Sequence, residues 1–215
     1  MSDFFDKELN ALAGQVKSVL SPRRYAHTLG VAEMAARLAA LYCPALSREL
    51  TAAALLHDVT KELGEEQQRE ILCRHGVTLR PDEMASTKIW HGMTAALEIP
   101  TRFPVWNTPT VVSAVRWHTT GHAGMTVPEA LLYLADYIEE GRVLAECVAL
   151  REYFFDANPA AMDGEERLCH LSRVMERSFE TTLLHLTRKN APLCEDTVAA
   201  SEYFKENNPF GKDKI

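Results

Sequence analysis

The sequence lacks any apolar run of about 18 residues, so it offers no candidate membrane-spanning helix. Its opening stretch, MSDFFDKELN, carries acids where a secretory signal would place a basic start and an apolar segment. Cysteine is sparse and odd in number: Cys43, Cys73, Cys147, Cys169 and Cys194 are scattered, with no C-x-x-C pair. That argues against a disulfide framework or a cysteine zinc site, and the thiols read as reduced and cytoplasmic. Positive charge is in deficit, 23 Lys and Arg against 30 Asp and Glu. A general nucleic-acid binder needs a basic face, so nucleic acid is not an expected partner, although a local basic cluster around a phosphate remains open. There is no internal repeat, no low-complexity linker and no sustained alternation of apolar and polar residues; the Val77–Leu79 run is too brief for a strand.

What the chain has is helical periodicity. Phe5, Leu9, Leu12, Val16 and Val19 form one stripe. Tyr25, Leu29, Ala32, Ala36 and Ala39 form the next, after Ser21-Pro22, an N-cap followed by a first-turn proline. Further helices are expected over about 47–59, 65–74 and 86–97, the last ending before Pro100, then over 109–118 and from Val127 to a stop at Gly141. A long amphipathic pattern runs over about 165–188. The expectation is one all-α domain of 215 residues, long enough to bury its own core. An N-terminal helix over 1–20 should pack on a main body over 21–190, with a C-terminal helix and frayed tail over 191–215.

Leu55-Leu56-His57-Asp58 is the strongest local signal. Neighbours on a helix point about 100° apart, so His57 and Asp58 can grip one metal ion only near a helix end. Alone, the pair reads more readily as a capping Asp beside a satisfied core His. Its company changes that. His27, His91, His118 and Asp136 also fall on apolar faces, and a carboxylate within Leu-Leu-Tyr-Leu-Ala-Asp136 has little reason to sit there without a partner. Four histidines and two aspartates spread over five helical segments describe ligands converging in a bundle core. His27, His57, Asp58 and Asp136 would hold one metal ion. Asp58 has two oxygens and could bridge to a second ion on His91 and His118. Imidazole suits zinc, iron and related transition metals, and the carboxylates extend that to manganese or magnesium.

The order His…His-Asp…His…His…Asp resembles the HD phosphohydrolase superfamily. Arg24-Tyr25-Ala26-His27-Thr28-Leu29-Gly30, Leu56-His57-Asp58-Val59-Thr60-Lys61-Glu62, Trp117-His118-Thr119-Thr120-Gly121 and Leu134-Ala135-Asp136-Tyr137-Ile138-Glu139-Glu140-Gly141-Arg142 are similar to its YqeK-like branch. The likeness spans about residues 20–205 and implies an HD-domain helical bundle. It implies symmetrical hydrolysis of diadenosine tetraphosphate to two ADP by metal-activated hydroxide, at two divalent ions, with iron the expected metal and manganese or cobalt the alternatives. The implied partner is a small-molecule nucleotide, and a homodimer is compatible.

The resemblance makes the six residues metal ligands, with Asp58 also catalytic. Lys61 becomes a phosphate-facing catalytic lysine, Thr119, Thr120 and Gly121 a loop at the site mouth, and Arg24 and Arg142 phosphate contacts. Solvated cations and a plain helix stop at Gly121 fit these last positions as well. His122 stands where the branch often has a basic residue, and Glu140 where it often has Pro. His75, His170 and His185 read as surface or packing residues, and Trp90 and Trp117 as core before base-stacking platforms. Rival readings are an HD phosphohydrolase acting on nucleotide monophosphates or guanosine alarmones, or a nucleotide sensor without turnover. A cyclic-dinucleotide phosphodiesterase is disfavoured because no Gly-Tyr-Pro run exists.

Overall fold

The computed structural model describes residues 6–211. Phe5, expected at the head of the first stripe, lies outside them. The described residues form eleven α-helices and no strand. Helix α1 (Lys7–Lys17) starts where the Asp6 carboxylate accepts the Glu8 and Leu9 N–H groups. It buries Leu9, Leu12, Ala13 and Val16 against the helix over Ser47–Leu56, but it ends before Val19, which is 44% exposed.

Helix α2 (Pro22–Tyr42) begins as Ser21-Pro22 predicts, with the Ser21 hydroxyl accepting the Arg24 N–H. Its buried face, Thr28, Val31, Ala32, Ala35, Leu38 and Ala39, packs on α3 (Ser47–Leu56) and α8 (Val127–Ile138). Helix α3 stops at Leu56, three residues short of expectation. The chain then tightens into i→i+3 turns, with Val59 N–H to Leu56 O, Lys61 N–H to Asp58 O and Leu63 N–H to Thr60 O. His57 and Asp58 therefore sit at the helix end, as two ligands for one ion require.

Helix α4 (Glu65–Arg74) matches its expected bounds and ends on Gly76 at φ +67°. Helix α6 (Trp90–Arg102) departs from them. A single 3₁₀ turn at Thr87–Ile89 replaces its first turn, and Pro100 lies inside the helix. A proline so near the C-terminus removes one N–H, and the following bond from Phe103 to Ile99 still closes at 2.9 Å. Helix α7 (Pro109–Trp117) packs on α3, α6 and α8. Helix α8 opens on the Thr126–Glu129 capping box but ends at Ile138 rather than Gly141. There Arg151 donates to the carbonyls of Ile138, Glu139 and Arg142, which holds the chain out of the helix.

Two helices had no counterpart in the sequence reading: the short α5 (Pro81–Ala85) and α9 (Ala145–Asp156). Helices α10 (Gly164–Arg188) and α11 (Glu195–Asn207) pair with each other. Helix α11 runs past Phe204 to Asn207, and the chain after it is packed as far as Gly211. Asn208 turns in the left-handed region at φ +36°, Phe210 packs on Phe204, and its N–H donates to Ser172 Oγ at 3.1 Å.

A candidate metal centre at the helix ends

Five helices deliver the six expected ligands to one place. His27 comes from the second turn of α2, His57 and Asp58 from the turn after α3, His91 from the start of α6, His118 from the end of α7, and Asp136 from the last turn of α8. Asp58 Oδ2 lies 3.4 Å from His57 Nε2 and 3.9 Å from His27 Nε2. Asp136 Oδ1 lies 3.0 Å from His27 Nε2 and 4.0 Å from His57 Nε2. On the opposite side, Asp58 Oδ1 lies 3.3 Å from His91 Nε2 and 3.9 Å from His118 Nε2, and those two nitrogens are 3.0 Å apart.

The backbone sets which nitrogen faces inward. His57, His91 and His118 each place Nδ1 against the carbonyl three residues earlier: Ala54 at 2.6 Å, Lys88 at 2.8 Å and Val115 at 2.7 Å. A carbonyl only accepts, so Nδ1 carries the proton and Nε2 turns an open lone pair to the centre. His27 instead sets Nδ1 3.2 Å from the Glu139 carboxylate. Burial pushes the pKa of His118 down to about 4 and that of His91 well below its ordinary value. Burial would raise both aspartates, but neighbouring imidazoles outweigh it: His57 and His91 hold Asp58 low, and His27 with Arg142 and His57 holds Asp136 low. At His91 and His118, neutral imidazoles beside an ionised carboxylate are the donor states a metal ion takes.

The fit can be tested on two atoms. His27 Nε2 and His57 Nε2 are buried without an acceptable hydrogen bond, despite the nearby Asp136 oxygen. Buried polar atoms almost always have partners, so an unsatisfied pair facing two carboxylates fits a cation between them. Two sets of donors lie close enough to hold an ion: His27, His57 and Asp136, and His57, Asp58 and His118.

The expected substrate residues are placed unevenly. Lys61 Nζ reaches His91 at 3.0 Å, and Thr119 Oγ1 lies 3.0 Å from both His91 Nε2 and His118 Nε2. Thr120 and Gly121 are buried and do not line the opening. Gly121, at φ +62°, turns the chain against Phe179 instead. Arg24 Nη1 donates to Asp58 Oδ2 at 2.8 Å, and Arg142 donates to Asp136 through Nη2 and Nε. A cleft of about 560 Å³ opens here, lined by both arginines with Arg23, His27, Glu62 and Glu139.

Glu62 and Glu139 escaped the sequence reading. Glu62 accepts the Ser21 N–H and hydroxyl at 2.6 Å each, which fixes the start of α2 and so the approach of Arg24. His122 turns away from the centre, with its ring against Trp117 and Nε2 3.3 Å from Glu129. Arg116 also lies against the Trp117 ring, so that ring is already flanked, while Trp90 is fully buried. Glu140 pairs with Arg37 and Arg151 at the surface. His170 is buried and bonds to Phe154 O. His75 and His185 do have acidic neighbours, Glu98 and Glu146, but neither belongs to the cluster.

The HD-domain family model matches residues 24–141, from Arg24 to the turn before Arg142. The chain is 30% identical over 182 residues to the symmetrical bis(5'-nucleosyl)-tetraphosphatase of Bacillus subtilis, covering 85% of this chain and 89% of that protein. It is 28% identical over 205 residues to the protein of the same name from Staphylococcus aureus, covering 92% and 94%. A 1.50 Å crystal structure from Clostridium acetobutylicum, described as a predicted HD superfamily hydrolase involved in NAD metabolism, superposes with a TM-score of 0.78. That pair shares 27% identity, over 91% of this chain and 96% of the other. The chain therefore belongs to the HD-domain family, in the branch that includes these symmetrical tetraphosphatases.

Proposed function

We propose that this protein hydrolyses dinucleoside polyphosphates, diadenosine tetraphosphate foremost, symmetrically to two ADP. The observation that carries this reading is the division of Asp58, whose Oδ2 faces His57 and His27 while Oδ1 faces His91 and His118. A mononuclear phosphatase of this family would need only His27, His57, Asp58 and Asp136. The second pair of imidazoles favours a dinuclear site, with iron as the resident metal and manganese or cobalt satisfying the same donors. Bound there, two divalent ions supply positive charge to phosphate oxygens and lower the pKa of an attacking water.

The chain's own groups do the rest. His27, His57 and Asp136 hold one side of the site and His91 and His118 the other, with Asp58 shared. Lys61, part-buried beside His91, meets charge that develops on the reacting phosphoryl oxygens. Arg24 and Arg142 line the cleft and bind the flanking phosphates of a substrate that the overall charge of -7 would otherwise repel. Thr119 offers a hydroxyl at the imidazole pair.

The test is product analysis by anion-exchange chromatography. Protein reconstituted anaerobically with ferrous iron is mixed with diadenosine tetraphosphate, beside a His57→Ala control. ADP as sole product from wild type, and none from the control, is the expected result. AMP with ATP would move the point of attack. Bound metal without turnover would favour the monophosphate, alarmone or sensor readings.

A further inference from the structure

We propose that Glu139 is a positioning residue that makes the two halves of the centre unequal, so that the ion held by His27 is the first and tighter one bound. The inference rests on the dinuclear reading of the preceding section. Among the four imidazoles, His27 alone sets Nδ1 against a carboxylate; the others use backbone carbonyls. A carboxylate behind a ligating imidazole fixes its ring and strengthens the donor nitrogen more than a neutral carbonyl does.

The surroundings of Glu139 are built for this role. Its side chain is 5% exposed, and its second oxygen accepts the Gly141 N–H at 2.5 Å. Room for the carboxylate comes from two glycines. A Cβ at Gly30, one turn after His27 on α2, would lie 2.6 Å from Glu139 Oε2, and one at Gly141 would lie 2.9 Å from the same oxygen. Arg151 of α9 clamps the backbone on either side of it. Charge points the same way. Asp136 Oδ1 and Asp58 Oδ2 both face the His27 half, each beside an arginine (Arg142 and Arg24), whereas Asp58 Oδ1 alone faces His91 and His118, beside the Lys61 ammonium. The half with more negative oxygen and a carboxylate-backed imidazole draws a divalent cation more strongly.

The experiment titrates Mn²⁺ into chelator-stripped full-length protein and follows free ion by electron paramagnetic resonance. Wild type, Glu139→Gln, Gly30→Ala and His91→Ala are compared, with thermal unfolding of each metal-free protein as the fold control. Wild type is expected to bind two ions in separate steps. Glu139→Gln should weaken the first step by about 10- to 100-fold and leave the second nearly unchanged, so that the steps merge. Gly30→Ala, which pushes the carboxylate off Nδ1 without removing it, should act in the same direction. His91→Ala should keep the tight step and lose the weak one. A tight step unmoved in both Glu139→Gln and Gly30→Ala overturns the inference while leaving the dinuclear centre intact. Wild type binding fewer than two ions overturns the dinuclear reading itself.

Discussion

Asp58 reaches His91 across the centre, with Oδ1 3.3 Å from Nε2, although Asp58 sits in the turn after α3 and His91 on α6, 33 positions apart. Its other oxygen stays 3.4 Å from His57. One carboxylate thus belongs to both halves of the site. Replacing Asp58 with Ala should remove both ions together and lower turnover more than about a thousandfold. Metal content by mass spectrometry, read beside the rate, checks this. An Asp58→Ala protein that keeps two ions or substantial activity would sink the scheme.

Arg24 and Arg142 should act on binding more than on the chemical step. Each lines the cleft and donates to one of the two aspartates, and each is about one-third exposed, which suits a group that must meet solvent-borne phosphate. Changing either to Met should raise KM roughly tenfold with kcat changed less than about threefold, as expected for one lost charge-assisted hydrogen bond. Steady-state kinetics on diadenosine tetraphosphate decide it. An unchanged KM for both variants would place the phosphates elsewhere.

Much of this candidate centre is legible in the sequence because its expected ligands break local patterns. Asp136 interrupts an apolar run, and His57-Asp58 follows an alanine-rich helix, so each stands out without a structure. Helix starts are equally legible at Ser21-Pro22 and Val127-Pro128-Glu129, where the chemistry of the first turn is local. Helix α9 is hard to see because Val148, Tyr153 and Phe155 flank the buried Cys147, Leu150 and Phe154 stripe and spread apolar residues around much of the axis. Glu139 was passed over for a different reason. Its partner His27 lies 112 residues away, and a glutamate at a helix end reads as solvated unless Gly30 is seen to make room for it. Thr120 and Gly121 followed a motif that is partly about packing: the glycine serves Phe179.

That packing role makes Gly121 a stability position. A Cβ there would lie 2.4 Å from Phe179 Cζ, and φ +62° strains any residue with a side chain. Gly121→Ala should destabilise the protein by about 2–4 kcal/mol, from overpacking and left-handed backbone strain together. Urea unfolding measures it. Gly14, with open space around its Cβ position, is the control, and Gly14→Ala should be neutral or slightly stabilising because it lies within α1. Equal midpoints for the two variants would contradict the packing argument.

His27 gives the metal-free protein a pH dependence whose sign is fixed. Burial opposes its charge, but the Asp136 and Glu139 carboxylates beside its two ring nitrogens outweigh burial and raise its pKa from 6.5 to about 9. A raised pKa means the folded state holds the proton more tightly than the unfolded chain. The stability it contributes is fully present below about pH 6.5 and is lost as pH rises through about 9. His118 and His91 do not confuse this window, because burial keeps both neutral throughout it. A metal ion competes for the same nitrogen, so its affinity should fall as pH drops below about 9, with close to one proton released from His27. Chelator-treated protein should therefore show a urea midpoint that declines between pH 6.5 and 9, and His27→Gln should flatten the decline. A wild-type midpoint that stays level across that range, with metal affinity equally level, would mean that His27 is already neutral between its two carboxylates.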